Sequence, residues 1–284
     1  MLPNSNKCDI CPHLCDFSGT KIGKCGVRNN SGIIKEFYGR CSTLAIDKIE
    51  KRPFFHFMQG TYFLSVGLFG CSLNCSFCIN KNVSQEFSSL DGKILWPQDF
   101  IYLAEINKVA GIVFSYNEPT VHYEYLRDVA TACIGNNLCL AIKTNGFINK
   151  KIARDLGTLY DAFNIDLKGD EGFYKNECDG ELNVVKNTTE ILVQMNSLVE
   201  ISYLVNPYDI KNEKFHESMA KWISSLNKKI PVHLLYFYPY HKLKEQYPQD
   251  DIISIYEIFS RYLSNVYINN LYKKRFEKYK KVNQ

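Results

Sequence analysis

From about residue 61 onward, short runs of β-branched and aromatic residues alternate with stretches in which apolar side chains recur every three to four positions. A strand covered on both faces needs a continuous apolar run, whereas a helix lying on a sheet needs only a stripe. The alternation therefore predicts repeated βα units around a parallel sheet. The strand-like runs fall at 62–68, 111–116, 138–144, 162–168, 199–206 and 232–238, with a weaker one at 266–269. Between them, 121–136 carries Val121, Tyr125, Val129 and Cys133 on one stripe, and 215–226 carries Phe215, Met219, Trp222 and Leu226, both expected to face the sheet. Pro97 suits a first helical turn, and Gly111, Gly146 and Gly169 suit the sharp breaks between units. Right-handed crossovers curl such an α/β sheet into a partial (β/α)6 TIM-like barrel, in which chemistry collects just after the C-terminal ends of the strands.

Residues 1–60 are rich in Cys, Gly and turn formers and carry no long periodic segment, so they predict a small Cys-rich, metal-stapled N-terminal lobe. The division expected is a lobe at 1–60, a barrel at 61–270 and a basic tail at 271–284. With 284 residues and 45% hydrophobic content, the chain can bury a full core. Its net charge of +4 is modest and concentrated in 273–281, a run that reads as a solvated terminal helix, so nucleic acid is not an expected partner. No stretch approaches the roughly 18 apolar residues of a membrane span, and the opening Met1-Leu2-Pro3-Asn4 has no signal-peptide core. A soluble cytoplasmic protein is expected. In a reducing compartment eleven cysteines do not form a disulfide framework, and clustered ones become metal ligands. Seven are clustered, while Cys41, Cys133, Cys139 and Cys178 are scattered and read as ordinary small residues.

Just after the first strand comes Gly70-Cys71-Ser72-Leu73-Asn74-Cys75-Ser76-Phe77-Cys78. Zinc prefers four ligands in paired Cys-x2-Cys knuckles, and a structural [4Fe–4S] cube takes four thiolates. The Cys-x3-Cys-x2-Cys loop supplies three, which leaves one iron of a cube open to an outside ligand. Asn117-Glu118-Pro119, Thr144-Asn145-Gly146 and Asp166-Leu167-Lys168 stand at the ends of the next three strands. Singly, they read as a helix N-terminal acid, a turn and an ion pair. Together, behind a cluster loop, they favour a site.

The loop resembles the cluster motif of radical S-adenosylmethionine (SAM) enzymes. That resemblance implies a [4Fe–4S] cluster on Cys71, Cys75 and Cys78, with SAM on its open iron and cleaved reductively to a 5′-deoxyadenosyl radical. It further implies Phe77 near the adenine, Asn117 and Glu118 at the SAM ammonium, and Thr144, Asn145, Asp166 and Lys168 at its ribose and carboxylate. No further catalytic residue is assigned. Cys8-Asp9-Ile10-Cys11-Pro12-His13-Leu14-Cys15, Gly23-Lys24-Cys25-Gly26-Val27-Arg28, Phe57-Met58-Gln59-Gly60, Asn164-Ile165-Asp166-Leu167-Lys168-Gly169 and His233-Leu234-Leu235-Tyr236-Phe237-Tyr238-Pro239 extend the similarity. They bring it nearest the radical SAM component of the AmmeMemoRadiSam system, which is related to the pyruvate formate-lyase activating enzymes. Two departures stand out. The Asp-Gly-Pro-Gly-x-Arg stretch of the activases is absent, and no further cysteine pair follows 266–269, which reads as a shortened member.

Cys8, Cys11, Cys15 and Cys25 suffice for a tetrahedral zinc or an auxiliary iron–sulfur cluster, with His13 as an alternative ligand, and softness alone does not decide between the metals. A peptide or protein substrate, and a flavodoxin or ferredoxin as electron donor, are the partners the family implies. Tyr203, Asn206, His233, Tyr236, Tyr238 and His241 are candidates for the substrate side. The competing readings are a glycyl-radical-enzyme activase and a non-catalytic iron–sulfur electron carrier.

Overall fold

The computed structural model describes residues 6–87, 90–237 and 249–269. The apolar runs become parallel strands: β2 (Tyr62–Gly67), β3 (Gly111–Ser115), β4 (Cys139–Thr144), β5 (Ala162–Leu167), β6 (Leu198–Val205), β7 (Val232–Tyr236) and β8 (Val266–Asn269). They follow one another in sequence order across one sheet, and antiparallel β1 (Thr43–Lys48) closes the β2 edge. Helices α1 (Asp99–Asn107), α2 (Tyr123–Cys133), α3 (Lys150–Leu159), α4 (Leu182–Gln194), α5 (Glu213–Leu226) and α6 (Gln249–Ser260) fill the six crossovers. The result is the expected partial (β/α)6 barrel.

Strand alternation separates two apolar layers. Leu64, Val66, Ile112, Phe114, Leu140, Ile142, Phe163 and Ile165 join the helices in the main core. Phe63, Val113, Ala141 and Ala162 point the other way and meet Ile49, Phe54 and Phe57. Those last residues belong to a segment that plugs the N-terminal floor of the barrel. Glu200 accepts from the Phe55 and His56 backbone N–H groups at 2.9 and 2.8 Å, and Asn164 donates to the Pro53 carbonyl at 2.7 Å. Gly111 has no room for a side chain, since a Cβ there would lie 2.0 Å from the Cys139 carbonyl oxygen on the neighbouring strand.

Two expectations shift. A division at residue 60 does not match the sheet, which begins at Thr43, so the Cys-rich lobe ends just before β1 and residues 43–60 belong to the barrel. On α5 the buried face is His216, Met219, Ala220 and Ile223, with Phe215 and Trp222 at its margin. His216 is drawn inward because the Tyr203 hydroxyl meets its Nδ1 at 2.7 Å, a pairing that periodicity cannot anticipate. The α2 stripe holds, with Val121, Tyr125, Val129 and Cys133 all buried. The expected basic tail at 271–284 lies outside the described residues.

Candidate active site

The cluster loop leaves β2 at the C-terminal mouth of the barrel and is held from two sides. From one, the Asn117 amide accepts from Leu68 N–H at 3.0 Å and donates to the Phe69 and Gly70 carbonyls at 3.0 and 2.9 Å. From the other, a π-helical turn (Tyr174–Cys178) receives Asn74 N–H on the Cys178 carbonyl and Ser76 N–H on the Glu177 carbonyl, each at 2.9 Å. These contacts leave the three thiols facing inward. The Cys71 sulfur lies 3.4 Å from Leu73 N and 3.5 Å from Asn145 Nδ2, and the Cys78 sulfur lies 3.2 Å from the Ser84 hydroxyl. Burial, then the nearby Glu118, pushes the Cys71 thiol well above its ordinary range, while Lys168 opposes them. A hydrogen bond with Cys178, reinforced by burial, does the same to Cys75.

Among the described residues no three His, Cys, Asp or Glu side chains converge on a point where one metal ion could sit. Three thiols on one loop suit a cube, in which each thiolate takes its own iron. The N–H donors to sulfur and the ammonium of Lys168 suit it too, because they offset the charge a cluster brings.

At the following strand ends the residues divide into a frame and an open face. Glu118 is 1% exposed and accepts four hydrogen bonds, from Thr120 N, Thr120 Oγ1, Thr144 Oγ1 and Asn145 N at 2.7–3.1 Å. A carboxylate offers about four acceptor sites. Glu118 therefore ties β3 to β4, and Asn117, Glu118 and Thr144, expected at the cofactor, have their side-chain polar atoms engaged by the protein itself. Asn145 spans frame and loop, with its amide reaching Cys71 and the Ser72 hydroxyl, the latter at 3.2 Å.

The open face is ionic. Lys143 and Lys168 donate to the two oxygens of Asp166 at 2.6 and 3.0 Å, and the three side chains keep 19, 15 and 24% exposure respectively. Although burial opposes ionisation, the two ammoniums hold Asp166 down at about 2. Burial draws Lys143 below the ordinary lysine range despite Asp166, with Lys168 and Arg52 adding to the effect. Two cations sharing one carboxylate leave a positive charge over, which an incoming carboxylate can meet. The Phe77 ring lies 5.3 Å from Phe173 and 5.0 Å from Phe237.

Lys143, Arg52 and Tyr116 were not foreseen. Tyr116 adopts a positive φ of 74°, and its ring lies over Gly67, where a Cβ would come within 3.1 Å. Its hydroxyl meets Arg52, which also pairs with Asp47 at 3.0 Å. The Arg52 Nε and the hydroxyl of Ser65 are buried without a hydrogen-bond partner. Of the substrate-side candidates, Tyr203 is turned to the helix layer on His216, and Asn206 is engaged by Lys168 O, Asp209 and the turn that follows it. His233 lies on the floor, its Nε2 2.7 Å from Glu200. Tyr236 is half-buried at the end of β7. Tyr238 and His241 lie outside the described residues.

The N-terminal lobe docks on the same mouth. Asn149 donates to the Asp9 carbonyl at 2.7 Å, Lys24 pairs with Asp179 at 2.9 Å, and His13 Nε2 lies 2.8 Å from the Ser72 carbonyl. His13 is thus engaged with the cluster loop. No helix among the described residues is long and apolar enough to cross a membrane.

Residues 66–218, more than half of the chain, match the family model described as the radical SAM superfamily. An uncharacterised protein of Methanocaldococcus jannaschii is 32% identical over 249 residues, which cover 86% of this chain and 74% of that protein. A second protein of that organism, provisionally named a glycyl-radical enzyme activating enzyme, is 28% identical over 75% of this chain and 83% of its own length. Among solved structures, Streptococcus suis SuiB bound to S-adenosylmethionine superposes with a TM-score of 0.57 at 14% identity. The match covers 79% of this chain and about half of SuiB, 53%, and SuiB has also been solved bound to its precursor peptide SuiA.

Proposed function

Since the chain belongs to the radical SAM superfamily, we propose that it holds a [4Fe–4S] cluster on Cys71, Cys75 and Cys78, cleaves SAM reductively and takes hydrogen from a peptide or protein substrate. When bound, cluster and SAM supply the one-electron chemistry and the 5′-deoxyadenosyl radical. The residues of this chain do the rest. Asn117, Glu118 and Thr144 frame the loop, and Asn145 steadies Cys71. The Lys143–Asp166–Lys168 face receives the amino-acid end of SAM, with Lys168 at its carboxylate and Asp166 at its ammonium. Phe77 lines the adenine side. The observation that carries this reading is the juxtaposition of a three-thiol loop with an ionic face holding one uncompensated positive charge.

On the substrate side, Arg52, Tyr116 and Lys143 make the barrel interior polar and cationic. A peptide segment is the substrate proposed for such an interior; SuiB, which shares this fold, has been solved bound to its precursor peptide SuiA. A glycyl radical on a large partner enzyme is the second reading, favoured by the provisional name of one relative. A low-potential ferredoxin or flavodoxin is the donor proposed.

The test is anaerobic reconstitution followed by SAM and dithionite, with 5′-deoxyadenosine quantified beside a variant in which Cys71, Cys75 and Cys78 are all Ala. Product from the parent alone supports the proposal. A parent protein verified to carry its cluster that forms none, with or without candidate peptide, rejects it.

A further inference from the structure

The loops that follow β5 and β6 are fastened to each other by two buried side chains. Asn206 shapes its own loop, its Oδ1 accepting from the Tyr208 and Asp209 N–H groups at 3.0 and 3.2 Å. Its Nδ2 donates outward, to the Lys168 carbonyl at 2.9 Å and to Asp209 Oδ2 at 2.8 Å. That same Asp209 oxygen accepts from Asp170 N–H at 3.3 Å, so it joins the two loops. They meet without slack, since a Cβ on Gly169 would lie 2.6 Å from Asn206 Nδ2 and 2.7 Å from the Phe173 ring.

The joint holds two residues of the SAM side. Lys168, whose carbonyl Asn206 grips, carries the ammonium proposed for the SAM carboxylate. Phe173, whose N–H is capped by Asp170 Oδ1 at 2.8 Å, keeps its ring 5.3 Å from Phe77, proposed for the adenine side, and 5.6 Å from Tyr208 of the β6 loop. Asp170 lies between Lys168 and Phe173 in the chain, so whatever moves its N–H off Asp209 moves both.

The remaining Asp209 oxygen, Oδ1, is buried without a hydrogen-bond partner. The groups around this carboxyl supply no cation to it. Asp170 faces it from the β5 loop with like charge, and the Lys168 ammonium is committed to Asp166. From β6, Tyr203 is held far above its ordinary range by burial and then by Asp209 and Asp170, so its phenol stays protonated. From α5, His216 is drawn below its ordinary value by burial and stays neutral. Lys211, two residues on, is turned away to Asp251 at 2.5 Å. A buried carboxyl placed in this way is cheaper protonated than charged. Burial raises Asp209 to about 7, opposed by the Asn206 amide and aided by the Asp170 charge.

We infer that Asp209 is a positioning residue for SAM binding that acts through Asn206 and Asp170: as a neutral acid it keeps the two loops closed on each other, with Lys168 and Phe173 set for the cofactor, and on ionising it favours their parting. The inference rests on the placement of SAM proposed above. The sign follows from linkage. A carboxyl that titrates at about 7 in the closed loops, and at about 4 once exposed, binds its extra proton between those values. Closure is therefore favoured at low pH, weakens as pH rises through that window and levels off above it.

SAM affinity is measured by anaerobic equilibrium dialysis, without reductant, on full-length protein verified to carry its Cys71 cluster, at about pH 5.5 and about pH 7.5. The parent should lose at least about threefold in affinity over that interval. Asp209→Asn, which keeps the acceptor oxygen without the charge, should hold the parent's low-pH affinity at both values. Asp209→Ala, which lacks the joint, should bind at low pH as weakly as the parent does at high pH. A merely structural role would shift the levels and leave the parent's pH dependence in the Asn variant. If the variants do not fold, hydrogen exchange of the SAM-free parent decides: protection factors of the Asp170 and Asp209 amides should fall over the same interval, while those of Thr120 and Asn145, bonded to Glu118, hold steady. Equal pH dependence in parent and Asp209→Asn, or steady protection of Asp170 and Asp209 in the parent, overturns the inference and leaves SAM binding standing. A cluster-loaded parent that binds no SAM at either pH overturns the placement on which it rests, and the inference with it.

Discussion

Three carboxylates show how neighbours, rather than residue type, set the behaviour of a side chain here. Glu118 is closed off by four donors, and Asp166 is held ionised by two ammoniums. Asp209 has neither support. It is 2% exposed, its Oδ1 has no hydrogen-bond partner, and its Oδ2 meets only Asn206 Nδ2 at 2.8 Å and Asp170 N at 3.3 Å. Burial, joined by the nearby Asp170 and opposed by Asn206, raises it to about 7. Between about pH 4, where the unfolded carboxyl titrates, and about pH 7 the folded state binds the extra proton, so stability falls as pH rises through that window. Asp209→Asn removes the titration. Measured by denaturant unfolding, the variant should gain on the parent by roughly 2–4 kcal/mol between pH 4 and pH 8, and an equal pH dependence of the two proteins would refute the assignment. Legibility at this scale follows geometry. Asp166 and Lys168 were readable because they end a strand run. Arg52 and Lys143 were not, because an inward-pointing position within an apolar run, or a cation arriving from the floor segment, carries no local sequence mark; Tyr116 ends its run, but the positive φ that turns its ring over Gly67 has no local mark either.

At the scale of elements, the parallel strands were legible because each is a short run dominated by apolar, β-branched and aromatic residues, whereas β1 was not. Its inward positions are Thr43, Ala45 and Asp47, paired across to Gly67, Ser65 and Phe63, while Leu44 and Ile46 face out, more than a third exposed. That pattern inverts the usual rule of apolar side chains inside, and it leaves small and polar groups lining the barrel. The π-helical turn was equally hidden, and with it the place of Cys178. That residue was read as ordinary, and it is fully buried, but its thiol is hydrogen-bonded with Cys75. A donor to a ligating sulfur tunes a cluster without holding it. Cys178→Ser should therefore keep the iron content of the Cys71 site and shift its reduction potential, whereas Cys75→Ala should lose the iron. Iron loss from Cys178→Ser equal to that from Cys75→Ala would make Cys178 a fourth ligand, leave no open iron for SAM and return the site to an electron-carrier design.

Taken as a whole, the molecule joins a barrel that can hold itself together to a lobe that cannot. The eight-stranded sheet buries two continuous apolar layers. Before β1, the described part of the lobe has only the two-residue strands Arg28–Asn29, Gly32–Ile33 and Arg40–Cys41, one 3-10 turn at Lys35–Phe37, and a few buried apolar side chains such as Ile10, Val27 and Phe37. Its attachments are polar, through Asn149, His13, Lys24 and the Arg28–Glu124 pair, and apolar, since Ile10 joins the main core and Val27 and Phe37 pack against Phe69 and Val121. In a domain so poor in core, a metal held by the four thiols would supply much of the folding free energy, whichever metal it is. Anaerobic treatment with a strong chelator should then loosen the lobe and spare the sheet. By hydrogen exchange, the amides of residues 8–34 should exchange at least about tenfold faster, whereas those of β3 to β6 keep their protection. Unchanged protection of the lobe after complete metal removal would mean that its docking contacts alone hold it. The four cysteines would then serve the neighbouring chemistry and not the fold.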